Sequence, residues 1–156
     1  NPQRLRDRRL RRDQDIVFIG SMSEHRERWL AHLQAEGVTV NLVQAWGEQF
    51  IEVLNRAKII LNLHFTPLPN TELRIIEALA CGAFVVSEQP TQPSVFKDGE
   101  HLAVMDWDNA AERLHWWLSH DDERERVARQ GQAYVTSHHT SAHCLSQLLE
   151  LVDAQR

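Results

Sequence analysis

Four short apolar runs, separated by stretches with helical spacing, leave this chain few ways to fold. Asp15 to Gly20 is apolar at consecutive positions and ends on glycine, a pattern that suits a strand covered on both faces and feeding a turn. Glu24 to Gly37 then sets Trp29, Leu30 and Leu33 at helical spacing, with Gly37 as the residue just past the helix end. Val38 to Ala45 reads as a second strand, and Glu48 to Lys58 as an amphipathic helix carrying Phe50, Ile51, Val53, Leu54 and Ala57. Ile59 to Phe65 is the third strand. Pro67 and Pro69 keep the next loop extended; a helix over Glu72 to Ala80, a fourth strand over Ala83 to Glu88 and a fifth over His101 to Met105 follow. Beyond Asn109 the spacing predicts three helices, over Ala110 to His120, Asp121 to about His138, and Ser141 to Val152. Strands alternating with helices through short loops require a parallel sheet with right-handed crossovers. The fold class is therefore α/β, a Rossmann-like parallel sheet flanked by helices, with a C-terminal helical tail.

A chain of 156 residues holds one core. It begins with Asn and opens on a run without apolar periodicity, which we read as a piece of a longer protein whose other part holds the rest of the active site. Residues 1–14 contain six Arg and two Asp, so a leader of net +4 precedes a body of net −9. With no aromatic residue and only Leu5 and Leu10 apolar, residues 1–14 read as a solvated basic linker or linker helix rather than a nucleic-acid or membrane-surface arm; residues 15–156 form the domain. Cys81 and Cys144 lie in apolar helical segments without metal-like spacing and are expected as reduced core thiols. No apolar run approaches the roughly 20 residues of a membrane span, and no signal-peptide segment is present. A cytoplasmic location follows as the default.

The segment from Asn70 to Glu88 bears most on chemistry. Its helix carries Arg74 and Glu77 three positions apart in an otherwise apolar stretch and stops at Cys81-Gly82 before the fourth strand. In such sheets ligands gather where helices begin and strands end, and a carboxylate there can accept both hydroxyls of a ribose; a surface Glu paired with Arg74 is the plainer alternative. Asn70, Thr71 and Glu72 lead into that helix, where backbone N–H groups can hold an anion, although capping alone would explain Asn70 or Thr71. Gly20 to Ser23 is the turn after the first strand, followed by Arg26 and Arg28. That turn can approach a diphosphate with a bidentate Arg beside it, or be an ordinary turn with solvated arginines. His64, ending the third strand, can donate to a sugar or phosphate or be a buried structural residue. His139 and His143, with His138, lack the partners of a metal site, and none is expected. Trp116 and Trp117 include at least one core anchor.

These stretches together resemble a known family. Phe-Ile-Gly-Ser, Leu-Asn-Leu-His-Phe, Leu-Arg-Ile-Ile-Glu-Ala-Leu-Ala-Cys-Gly, Val-Val-Ser-Glu, Phe-Lys-Asp-Gly-Glu-His and the helix over Asp121 to Gly131 are similar to the C-terminal, donor-binding half of GT-B glycosyltransferases, notably the group with spore-maturation-type members, over about residues 15 to 140. The resemblance implies that Glu77 binds the donor ribose, that Asn70, Thr71 and Glu72 face its sugar and phosphate, that Gly20 and Arg26 face the pyrophosphate, and that no metal or cofactor is needed. It implies hexosyl transfer from a nucleotide-diphosphate sugar to an acceptor held by an N-terminal domain outside this chain, the fragment alone being inactive. The chain departs from many retaining members, which have two glutamates seven residues apart with a glycine-containing loop between. Pro69 stands at the first position here, and Gln92-Pro93-Ser94 replaces a glycine pair. The competing expectation is a non-catalytic Rossmann-like module that senses a nucleotide or mediates protein association. A receiver-type signalling domain is a weaker third, since His64 and Phe65 occupy the place of its phosphorylatable Asp.

Overall fold

The computed structural model describes residues 3–71 and 73–153. In chain order the elements are β1 (Gln14–Ile19), α1 (Glu24–Ala35), β2 (Asn41–Val43), α2 (Gly47–Arg56), β3 (Ala57–Asn62), α3 (Leu73–Ala80), β4 (Phe84–Glu88), β5 (Ala103–Met105), α4 (Ala110–Ser119), α5 (Asp121–His138) and α6 (Ser141–Asp153). The five strands form one parallel sheet in the order β2-β1-β3-β4-β5. This is the α/β architecture that the alternating runs demand.

Side chains of the central strands are buried on both faces, and their period of two sorts them into two cores. Ile16, Phe18, Ile59, Leu61, Phe84 and Val86 pack with Trp29 and Leu33 of α1, Leu114 and Trp117 of α4, and Val127 of α5. Val17, Ile19, Ile60 and Val85 pack with Ile51 and Leu54 of α2, Ile75, Ala78 and Leu79 of α3, and Val135 of α5. Each fully buried Leu, Ile or Phe contributes about 1.5–3 kcal/mol of transfer free energy, so the central strands anchor the fold. Trp117 is the core anchor of its pair and Trp116 is exposed.

Several boundaries shift for physical reasons. β2 pairs only over Asn41–Val43 because it is the sheet edge, with Leu42 exposed; Val38 to Val40 serve as connection from α1. β3 stops at Asn62, opposite Ser87, so His64 lies beyond the strand instead of ending it. Cys81 is buried, and burial pushes its thiol up to about 11. Cys144 is exposed rather than a core thiol, because α6 also leaves Leu145, Leu148 and Leu149 on the surface.

The basic leader is neither helix nor free coil. The Arg12 guanidinium donates to Leu54 O (3.0 Å) and Ala57 O (2.8 Å) at the end of α2, and to Cys81 O (3.2 Å) and Gly82 O (2.7 Å) at the end of α3. Both helices present unpaired carbonyls and a negative dipole end there, which a half-buried cation satisfies. Arg56 binds Asp13, and Arg8 binds Glu48 at 2.6 Å.

Candidate functional site

Topology creates one crevice at the carboxyl edge of the sheet. β1 is followed by α1 on one face, whereas β3 is followed by α3 on the other, and β1 and β3 are neighbours. Their exit loops therefore diverge, which is the arrangement that opens a ligand site in α/β sheets.

A cavity of about 450 Å³ lies on this edge, walled by Gly20 and Ser21 after β1, Gln44 and Trp46 after β2, and Leu73, Arg74 and Glu77 of α3. Gly20 has φ +152°, and a Cβ there would stand 3.0 Å from Arg74 Nη2. That backbone conformation favours glycine, which also leaves room for the guanidinium beside the turn. The Arg74 Cζ is 5.8 Å from the Phe18 ring centroid, so the cation rests on the last aromatic residue of β1. Glu77, one turn further along α3, is half-buried; burial raises its carboxyl above the ordinary range, with Arg74 pulling the other way. A glycine turn, an Arg and a carboxylate are thus gathered on one wall, able to receive an anion and a diol side by side.

The remaining sequence candidates stand apart from this cavity. Arg26 is buried, its Nε (3.0 Å) and Nη2 (2.8 Å) donating to Leu63 O and its Nη1 (2.9 Å) to Ser21 O. The guanidinium braces the exit loops of β1 and β3, flanked by Phe18 at 5.2 Å and Phe65 at 5.3 Å. His64 is buried as well: its Nε2 donates to Gln89 O at 2.8 Å and its backbone N–H to Glu88 Oε2 at 2.6 Å. The other Glu88 oxygen meets His25 Nε2 at 2.7 Å, so Glu88 ties α1, β4 and the loop after β3 together. Asn70 is exposed and Thr71 half-buried, neither in the cavity wall; α3 begins at Leu73, two or more residues beyond them. Glu72 lies outside the described residues. Among the described residues no group of three or more His, Cys, Asp or Glu side chains is placed to hold a metal, and no helix is long and apolar enough to cross a membrane.

Trp46 escaped the sequence reading. It is 75% exposed, precedes Gly47 and α2 in extended conformation, and lines the same cavity as Glu77. A second cavity, about 470 Å³, sits at the opposite edge of the sheet among Asp7, Arg9, Arg12, Lys58, Arg124 and Glu125. Its charges are mixed, and Arg12 and Arg124 are committed to backbone carbonyls.

Known proteins place this geometry. The glycosyl transferase-like family matches residues 3–150. The C-terminal domain of a glycosyl transferase group 1 family protein, LpcC from Francisella tularensis, superimposes with a TM-score of 0.75 at 12% identity, over 90% of this chain and 98% of that one. Alr3699/HepE from Anabaena, crystallised with UDP-glucose, gives 0.76 at 12% identity over 91% of this chain and 49% of its own. Protein L137 of Acanthamoeba polyphaga mimivirus is 29% identical over 94 residues, 59% of this chain, which spans 12% of that relative's length. At such identities the solved structures speak for the fold, while the family match covers nearly the whole chain. The chain belongs to the glycosyl transferase-like family and has the Rossmann-like fold of the C-terminal domain of GT-B glycosyltransferases.

Proposed function

We propose that residues 15–156 are the donor-binding domain of a hexosyltransferase that uses a nucleotide-diphosphate sugar. The observation that carries this reading is the convergence of Gly20, Arg74 and Glu77 on one cavity at the point where the exit loops of β1 and β3 diverge. Glu77 accepts the ribose hydroxyls. Arg74 and the backbone at Gly20 and Ser21 receive the pyrophosphate, and Trp46 offers its ring to the base. As the glycosidic bond breaks, charge builds on the leaving diphosphate, and Arg74 with the start of α3 stabilises it without a resident metal. Asn70, Thr71 and Glu72, which precede α3 in sequence, are assigned to the donor sugar and its phosphate. Arg26 and His64 serve by holding the edge on which the donor rests. The Anabaena relative's complex with UDP-glucose, and another with UDP and glucose, support a UDP-hexose as the donor class.

Transfer needs an acceptor, and we assign its binding to a preceding domain joined through residues 1–14, in a protein that works in the cytoplasm; this chain alone binds donor without transferring sugar. The alternative, a module that binds nucleotide and never transfers, draws support from Pro69 in place of an acidic residue and from the exposed loop around it. Calorimetric titration with UDP, GDP, ADP and TDP tests the proposal. Saturable binding of one nucleotide is expected. No binding at millimolar concentration, a free energy weaker than roughly −4 kcal/mol, would refute it.

A further inference from the structure

The connection between β4 and β5 is closed by a histidine that acts as an acceptor. His101 is buried, and it grips one residue at both polar atoms of its backbone. Its Nδ1 accepts the Lys97 N–H at 3.3 Å, and its own backbone N–H donates to Lys97 O at 3.0 Å. A ring nitrogen that accepts from an amide carries no proton, so the neutral ring is protonated at Nε2, which stands 3.3 Å from Glu100 Oε1. The ring stacks on Tyr134 of α5 with centroids 4.1 Å apart and meets Phe96 edge-on at 6.5 Å. Phe96 is thereby seated in the second core, with the rings of Tyr134 and His139 also against it at 5.9 and 5.8 Å.

Residues 89–97 join this seat to the carboxyl edge of the sheet. Gln89 O accepts His64 Nε2 at 2.8 Å, and Thr91 Oγ1 donates to Pro69 O at 3.3 Å. Ser94 Oγ accepts the Phe96 N–H at 3.1 Å. The loop is therefore fastened at its far end by Phe96 and His101, and through Thr91 it holds the stretch that precedes α3 in sequence.

We propose that His101 is an acid-operated latch: the neutral ring holds Lys97 and the Phe96 seat closed, and a proton taken up at Nδ1 releases them together with the loop that Thr91 ties to Pro69. Protonation turns the acceptor into a donor, so two N–H groups face each other where one hydrogen bond stood, and it places a charge in a ring buried against two aromatic side chains. Burial is the largest influence on the His101 pKa and lowers it; Lys97 and His138 add to the effect and Glu100 opposes it. The other titratable or charged groups around this nest are Tyr134, His139 at the end of α5, His143 of α6, and Arg126, whose Nη2 donates to Gly99 O at 3.2 Å. A lowered pKa means that the closed latch is fully stable above the ordinary His value, and that opening becomes more favourable by up to about tenfold per pH unit as pH falls from there toward the closed-state value.

Hydrogen exchange at single amides of the full chain tests the latch, read by NMR at about pH 7.5 and 5.5 and corrected for the intrinsic pH dependence of exchange. Protection of the Lys97 N–H is expected to fall roughly tenfold at the lower pH, with a midpoint that matches titration of the His101 ring, while the amides of β3 keep theirs. The Asn70 and Thr71 amide signals shift with the same midpoint in wild type and stay still in Thr91→Val. In His101→Asn, whose Oδ1 can accept the Lys97 N–H but takes up no proton, Lys97 protection is the same at both pH values. Unchanged protection in wild type, a loss shared equally by β3, or a loss that survives in His101→Asn overturns the latch. If His101→Asn does not fold, the wild-type ring decides: an Nδ1–H tautomer at neutral pH, or a His101 midpoint away from that of Lys97, overturns it. Still Asn70 and Thr71 signals in wild type overturn the release of the stretch held by Thr91.

Discussion

Replacing Arg12 with alanine tests whether the basic leader is part of the fold. Its guanidinium makes four hydrogen bonds of 2.7–3.2 Å to carbonyls at the ends of α2 and α3. Burial depresses its pKa, with Asp7 the largest opposing influence, so the cation is held mainly by carbonyl dipoles rather than by a salt bridge. A hydrogen bond to a charged group contributes about 1.5–3 kcal/mol, and a neutral one about 0.5–1.5. Part of the loss would be repaired by water, because Arg12 and Gly82 border an open cavity. A net cost of about 2–4 kcal/mol remains, which lowers the melting midpoint of a domain this size by roughly 4–16 °C. Lysine keeps the charge but cannot span four acceptors, so Arg12→Lys falls between the two. Urea unfolding followed by circular dichroism reads both variants. An Arg12→Ala protein within about 0.5 kcal/mol of wild type would show that the leader is the solvated linker its composition suggests.

Two further substitutions probe the cores. A Cβ on Gly131 would lie 2.3 Å from His101 O and 2.8 Å from Leu79 Cδ2; helix propensity favours Ala by about 1 kcal/mol, but overpacking against a backbone oxygen costs about 3. Gly131→Ala should therefore unfold at lower urea, by about 2 kcal/mol, and a gain in stability would refute the close approach. His101 is buried, accepts the Lys97 N–H at Nδ1 and stacks on Tyr134 at 4.1 Å; burial lowers its pKa below the usual 6.5. A depressed His pKa gives stability that is present above the ordinary value and lost as pH falls through the folded one. Unfolding free energies at about pH 7.5 and 5.5 should differ more in wild type than in His101→Gln, and equal differences would contradict the assignment.

The fold was legible because consecutive apolar residues at Asp15 to Gly20 and Ala83 to Glu88 allow little besides doubly covered strands, and Gly37 and Gly82 mark helix ends. Glu77 stood out for a related reason, as a lone carboxylate in an apolar helix. For Arg26 and His64, sequence position reports which edge a residue reaches, not that donors of each bond Leu63 O or Gln89 O. Trp46 carries no local signature; only the tertiary fold, with α2 and α3 on one face of the sheet, brings it to the cavity that Glu77 lines. The leader's composition reads as solvated, and the informative residue was elsewhere, in Asn55, a polar side chain among Ile51 and Leu54 that requires partners and has them in the Arg8 N–H and Arg6 O.

Affinity of the chain for UDP, compared between wild type and Glu77→Gln, tests the account most directly. Glutamine preserves shape and removes the charge, and since burial raises the Glu77 pKa, stability is lost as pH rises through that value; its removal at neutral pH should leave the fold intact or firmer. Loss of charged hydrogen bonds to the ribose, about 2 kcal/mol, predicts a roughly thirtyfold weaker Kd in Glu77→Gln with an unchanged or raised melting midpoint. Equal affinities would place the nucleotide elsewhere and contradict the assignment of this cavity as the donor site.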